Sequence, residues 1–550
     1  MKKNLILSLC LIAYYSASSQ EIPYDLKSTD IKRDKLTERF FGIRPIGQID
    51  NSIYYLFQPY TAVFDVKSLG PAGNHFVCKF DKDLNLIKKT AIVLSQDKKG
   101  KQFEGIYILN GELILFSSLK NPDEKKHLLF AQKVNKESLE MEGDVRLLGE
   151  LDYSEISKYK DSFFRYEISE DRSKVLVFYT LLGKGDETLK SGMFLYDNKL
   201  KLLWKNEDVS PKFSEGFFSY KTFKVDNKGN VYLLGLHYAD RKNYFDEAGF
   251  RRNGFFSSDT YYADKPNYTH QIYRFSDSGR KEEYADITIP DKFIRNLAFS
   301  PAGESTVICA GIYSAPGTIS ALGSFVFSFN ISTRQARDLS TKEFGTSMIE
   351  QGFNERELNR FRRNIDNKEE WDPFEYLIGE IKTRKNGEKY FIAEQYISGT
   401  KTQRSGNMIT YSTIFMHNDL FVVNLSTDNK IKRIDKVSKR QYLLTTDRFN
   451  SYATLEENGS LYLLFNTIVY NDTMFKNAKM GDTYLVSIDR EGNQVKVIFK
   501  PKELAEKVML MPESTISLGA NTIIYGLMSG GFKDYSFEKL TVNPKTAQKK

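Results

Sequence analysis

Residues 220–236 read YKTFKVDNKGNVYLLGL. A strand-like segment, Tyr220–Val225, meets a turn at Asn227-Lys228-Gly229 and leaves it as an almost unbroken apolar run. Turn residues between two such segments mark an antiparallel hairpin. A strand covered on both faces reads as a continuous apolar run, whereas one with a wet face alternates. The second strand of this hairpin is therefore expected deep inside the molecule.

The signature recurs. A turn followed by an apolar run stands at Asn51-Ser52 (IYYLF), Asn110-Gly111 (ELILF), Asp171-Arg172 (SKVLVFY), 227–229, Ala302-Gly303 (ESTVICAG), Asn386-Gly387 (EKYFIAE), Asn458-Gly459 (SLYLLF) and Gly519-Ala520 (NTIIYGL). Interleaved one for one are eight second hairpins with more polar turns, at 76–90, 128–138, 193–204, 271–284, 325–337, 420–434, 483–499 and 536–545. Their last strands alternate, as in LIKKT and KIKRI, which suits an outermost strand with one face in water. Each unit thus holds four strands and repeats at roughly 55–85 residues.

This pattern resembles the β-propeller superfold over nearly the whole chain. The resemblance implies an all-β ring of four-stranded antiparallel blades, a fold of about 4–8 blades. Eight units suggest eight blades; seven follow if the first and last units share one. Asp30–Ile46 would supply the first strand of unit one. The signatures of narrower propeller groups are missing. The single Trp-Asp, Trp371-Asp372, lies in a loop rather than ending a strand as in WD40 blades. The Gly-Gly of kelch blades and the Ser-x-Asp-x-Gly-x-Thr-Trp box of sialidase-like blades do not occur. Fold alone then implies no activity.

Parity makes the connections informative. In an up-and-down meander the turns within both hairpins share one end, and the loops between hairpins and between units share the other. The hairpin turns here are tight. The long insertions, 59–75, 239–269, 398–418 and 470–482, and the long inter-unit link 339–376, all belong to the second class. They are expected on one face, where long loops on a rigid scaffold usually carry function. One short helix is expected in the 339–376 link. Asn354 with Glu357 three residues on makes a capping-box start, and Leu358, Phe361 and Ile365 form an apolar stripe.

The chain ends and composition set the compartment. Lys2-Lys3, an apolar stretch Leu5–Tyr15 and the small residues 16–19 form a secretory signal peptide over 1–19. Residues 20–35 read as a charged leader, and 36–550 as a single propeller domain. No stretch has the length of about 20 apolar residues that a spanning helix needs. Export to the periplasm or cell surface follows. Cys78 and Cys309 fall in different units within apolar strand patterns and are expected as buried free thiols. A formal charge of +8 over 550 residues, with no basic block, gives no grip for nucleic acid.

Function is less legible. The 239–270 insertion mixes aromatic residues with arginines: Tyr244, Phe245, Arg251, Arg252, Phe255, Phe256, Tyr261, Tyr262 and Tyr268. Such a mixture can stack on sugars or anchor a protein partner. Trp371, Tyr411 and His417, on neighbouring long loops, join it as candidate ligand-binding residues. Zinc, thiol-redox, nucleotide and serine-nucleophile motifs do not occur, so no metal or cofactor is expected. Asp81-Lys82-Asp83-Leu84-Asn85 starts like a calcium loop but has no Glu at the twelfth position, and reads as a turn. The expected function is a non-enzymatic binding or scaffold protein that meets an envelope protein or glycan through the long-loop face. The alternative is a glycoside hydrolase or polysaccharide lyase with a central carboxylate, Tyr or His pocket.

Overall fold

The computed structural model describes residues 22–33, 40–59, 74–94, 100–156, 158–183, 188–209, 217–238, 249–253, 257–262, 268–372, 374–405, 408–444, 446–469, 479–505, 508–519, 521–529 and 534–543. They form an eight-bladed β-propeller. The blades occupy 40–91, 102–152, 159–206, 217–287, 293–343, 375–437, 453–500 and 509–542, the last with a strand from the N-terminal region. Blades 1 to 5 are separate four-stranded antiparallel sheets, while blades 6 and 7 belong to one twelve-stranded sheet.

The burial logic read from the sequence holds strand by strand. The first strand of each blade is innermost, and it packs against its counterpart between blades 1 and 2, 3 and 4, 5 and 6, 7 and 8, and 8 and 1. Second strands are enclosed, as in Val231–Tyr238, where only His237 is partly open. Fourth strands are outermost, and Gln335–Glu343 is exposed along almost its whole length. Eight apolar clusters hold the ring, one at each interface between adjacent blades. Between blades 4 and 5, for instance, Tyr232 and Ile272 meet Phe299, Phe325 and Phe327. Full burial of side chains this large contributes about 1.5–3 kcal/mol apiece. Cys78 and Cys309 are buried in blades 1 and 5 and neither is in a disulfide, as expected.

Tight turns close the hairpins as their residues require. Asn110-Gly111 and Asn458-Gly459 each have two successive positive φ angles, 50° and 72° in the first, 52° and 82° in the second. That pair of angles suits a two-residue hairpin in right-twisted strands. Asp81 Oδ1 accepts from the backbone N–H of Asp83 and Asn85, both at 2.8 Å. Its Oδ2 accepts from the Asn85 amide, also at 2.8 Å. The carboxylate is spent on its own turn, which answers the calcium-like pattern. Asp226 and Asp489 do the same in blades 4 and 7.

The ring closes differently from the sequence reading. The fourth strand of blade 8 was expected within 536–545, with 20–35 set aside as a charged leader. Instead Tyr24–Ser28 pairs antiparallel with the strand Asp534–Val542, from Tyr24↔Val542 to Ser28↔Glu538. Lys32–Arg33 adds two more residues to the same edge. The first strand of blade 1 is Phe40–Ile49. Closure is sealed by a cluster joining Tyr55, Phe57 and Phe80 of blade 1 to Met511, Ile524 and Phe537 of blade 8.

The 339–376 link carries two helices rather than one. Helix α1 (Thr346–Glu350) is a single turn, and α2 (Glu355–Asp366) has the expected reciprocal box between Asn354 and Glu357. Phe361 of α2 is buried, but Ile365 is exposed. A further helical turn, Lys502–Ala505, follows blade 7.

Candidate binding face

Strands that outgrow their blades build the face carrying the long connections. In blade 6 the strands Lys389–Ser405 and Met408–Leu425 run past the blade as a projecting hairpin, paired from Tyr396↔His417 to Ser405↔Met408. β-branched and aromatic residues such as Ile397, Thr400, Tyr411 and Ile414 favour this extended form. The blade 4 insertion forms its own hairpin, Gly249–Asn253 with Ser257–Tyr262. Its second strand pairs with the blade 6 projection, from Tyr262↔Ser398 to Ser257↔Gln403. Insertions from two blades that are not neighbours therefore meet in one ladder, on one face of the ring. On the other side, Gln441–Leu444 pairs with 414–417, and Gln441 reaches Ile468 of blade 7.

The root of this projection is ionic. Glu394 lies in the middle of a buried central strand, 3% exposed at its side chain. Lys439, with no exposed side-chain surface, reaches its Oε1 at 2.5 Å. His417 Nδ1 stands 3.0 Å from Oε2, and Ser451 donates to the same oxygen at 2.8 Å. Burial would push the Glu394 carboxyl up, but the Lys439 ammonium and His417 overcome it and hold it at about 2. Burial pulls Lys439 down, and Glu394 resists that pull.

A second buried carboxylate, Asp419, takes Lys436 at 2.8 Å and is also in contact with Arg440. Lys436 then donates to the backbone carbonyls of Ile349 and Gln351, at 2.7 and 2.9 Å. It lies 4.9 Å from the Phe353 ring centre, and Arg440 stands 3.8 Å from Glu357. The helical link is thereby tied to the same root. Beside it, Tyr376 donates to Asp372 at 2.5 Å, and burial pushes the Asp372 carboxyl up to about 6.

The candidate residues separate into three groups. Tyr244, Phe245, Phe255 and Phe256 lie outside the described residues. The backbone of Arg251, Arg252, Tyr261 and Tyr262 is placed in the insertion hairpin, with Arg251↔Thr260 and Phe250↔Tyr261 as partners, while their side chains lie outside the description. The remaining four are well placed but differ in role. Tyr411 is 68% exposed on the projection. Tyr268, expected at the surface, is a core residue whose hydroxyl donates to the Arg295 carbonyl at 2.8 Å. Trp371 packs edge-on against Phe361 of α2 at 5.2 Å. His417 is buried in the root.

Glu394, Lys436 and Lys439 escaped the sequence reading. The signal available was Glu394 itself, a charge inside the apolar run YFIAEQY, which must find a partner once buried. A serine–histidine contact also occurs, with His127 Nδ1 2.5 Å from Ser162 Oγ. Both residues are buried, and burial pulls the His127 ring down to about 4. Among the described residues, no group of three or more His, Cys, Asp or Glu is placed to hold a metal ion. No described helix is long and apolar enough to cross a membrane.

No protein-family model and no curated protein matches the sequence. Among solved structures, the chain is similar to prolyl oligopeptidase B from Galerina marginata, at 9% identity and a TM-score of 0.38, covering 90% of this chain and 56% of that one. The chain thus spans about half the length of that enzyme. It is also similar to the Dos1 propeller, at 9% identity and 0.37, covering 94% and 95% of the two chains. Against the polysaccharide lyase Uly1 the figures are 7%, 0.33, 94% and 99%. Likenesses this distant transfer no activity.

Proposed function

We propose that this chain is an exported, non-enzymatic binding or scaffold protein of the periplasm or cell surface. It meets an envelope protein or glycan through the long-loop face. The observation that carries this reading is the ladder between 257–262 of blade 4 and 398–403 of blade 6. Two insertions are locked together by backbone hydrogen bonds, and the blade 6 projection is rooted on buried, paired charges. A surface held that firmly is suited to present a fixed contact geometry, because preordered loops lose less entropy on binding. Gly249–Asn253 is the outermost strand of this sheet. An extended segment of a protein partner could add to it as a further strand.

Three carboxylates buried at the root of this face support binding over catalysis. Glu394, Asp419 and Asp372 are enclosed, and each is engaged by a neighbouring side chain.

Deleting 243–266, which leaves the core residue Tyr268 in place, and comparing pull-downs from envelope extracts and glycan-array profiles tests the reading. Loss of a specific interaction with the ring intact is expected. An unchanged interaction profile, or turnover of a polysaccharide panel by the purified protein, overturns it. Export is tested separately, by locating the mature protein in cell fractions and sequencing its N-terminus, which is expected near Gln20.

A further inference from the structure

The opposite face holds a cavity of about 850 Å³ at the mouth of the central channel. Six successive blades line it with the ends of their innermost strands and the turns that follow, from Glu167 in blade 3 to Ser517 in blade 8. We propose that this mouth is a binding site for an organic cation bearing primary ammonium groups, separate from the long-loop face.

Size and charge both point there. The volume lies in the range of small-molecule sites, about 300–1,000 Å³, and far exceeds what a bare ion needs. Five carboxylates line the cavity against three lysines, although the whole chain carries +8. Two of those carboxylates are occupied. Asp226 caps its own turn through Asn230, and Glu456 leans on Arg384 at 3.8 Å. Two others sit where a ligand would be held. Glu380, from blade 6, grips Lys224 of blade 4 at 2.8 Å, so the site already holds one primary ammonium. Glu167, from blade 3, faces the same lysine, and its carboxylate has no hydrogen-bond or ion-pair partner among the described residues.

The environment of Glu167 gives the site a signature. Burial pushes its carboxyl up to about 7, Glu380 adds to the rise, and Lys224 opposes it. Tyr107, which also faces Glu167, is itself pushed up to about 12 and stays neutral near pH 7. An ammonium ligand stabilises the ionised carboxylate, so binding strengthens as pH rises through 7 and releases a proton from Glu167.

Isothermal titration calorimetry of the full chain tests this with spermidine and with acetyl-Lys-Lys-Lys-amide, at pH 8 and pH 6 and constant ionic strength. Glutarate serves as the anionic control. One saturable site per chain is expected, with affinity falling up to about tenfold at pH 6, as the ionised fraction of Glu167 falls. Binding of spermidine alone identifies a free polyamine as the source, and binding of the peptide alone a protein lysine. Glu167→Gln is expected to weaken binding about tenfold at pH 8 and to abolish the pH dependence, as loss of a charged partner implies. Glu380→Gln is expected to weaken binding as well, with near-UV circular dichroism showing that both variants keep the fold. Absence of binding by both cations, equal binding of glutarate, or affinities unmoved by both substitutions overturns the proposal.

Discussion

Blades 5 and 6 are neighbours built on one plan and filled in opposite ways. The central strand of blade 5, Thr306–Ser314, is buried along all but its first residue by apolar and small side chains, and it stops where its blade stops. Its counterpart in blade 6, Lys389–Ser405, takes Glu394, Gln395 and Lys401 into the interior and continues beyond the ring. Apolar wedges suffice to hold one blade against the next. A projection that must leave the ring in one direction is rooted here by directional, mutually satisfied charges. Such pairs add little net stability over an apolar filling, but removing one partner is costly.

That contrast can be broken most severely at Lys439. Lys439→Ala strands Glu394 without its ammonium and is expected to destabilise the protein by about 3–5 kcal/mol. Chemical denaturation followed by tryptophan fluorescence and circular dichroism measures the loss. A cost no larger than that of deleting a single methylene from the blade 5 wedge, about 0.5–1.5 kcal/mol, would place blade 6 with blade 5.

The pH dependence of stability sharpens the contrast. Glu394, held near 2 in the fold, contributes stability that is full above about 4.5 and lost as pH falls toward 2. The expected size is about 3 kcal/mol, from a shift of between two and three pH units. Asp372 has the opposite sign. Its carboxyl is raised to about 6, so its contribution is full below about 4 and is lost as pH rises through 6. Glu394→Gln should flatten the acid limb of a stability–pH profile, and Asp372→Asn the slope between about 4 and 6.

Smaller effects are expected where the filling is apolar or the bond is single. Tyr268→Phe removes one hydrogen bond to the Arg295 carbonyl and should cost about 1 kcal/mol, read from the denaturation midpoint. Ile312→Val in blade 5 deletes one methylene from a closed wedge and should cost about 0.5–1.5 kcal/mol in the same assay. A far larger loss at Ile312 would mean that the two blades are filled less differently than their residues suggest.

The same contrast explains what the sequence revealed. Enclosed strands such as Val231–Tyr238 announce themselves because both faces demand apolar side chains. Tyr24–Ser28, reading YDLKS, gives no such sign, since four of its five residues are exposed and a charged leader looks the same. Parity predicted that the insertions would share a face, and the 257–262 to 398–403 ladder joins two of them. Its partners, SSDTYY and SGTKTQ, carry no periodicity that would have matched them. Lys436 lies at the end of an outer strand and Lys439 just after it, where lysines are ordinary, and only their contacts with Asp419 and Glu394 set them apart. The cavity at the channel mouth gathers residues from six blades, a convergence that linear spacing cannot display.

Ser28 pairs with Glu538, so the last blade is completed by a strand from near the start of the chain. During synthesis that segment emerges hundreds of residues ahead of its partner and must stay uncommitted until the final repeat exists. Contacts this remote in sequence are slow to form, because a long loop must be closed before they gain anything. Assembly of the circle therefore has a built-in last step, and a chain truncated anywhere before residue 534 would be left with an open seam and a sticky edge.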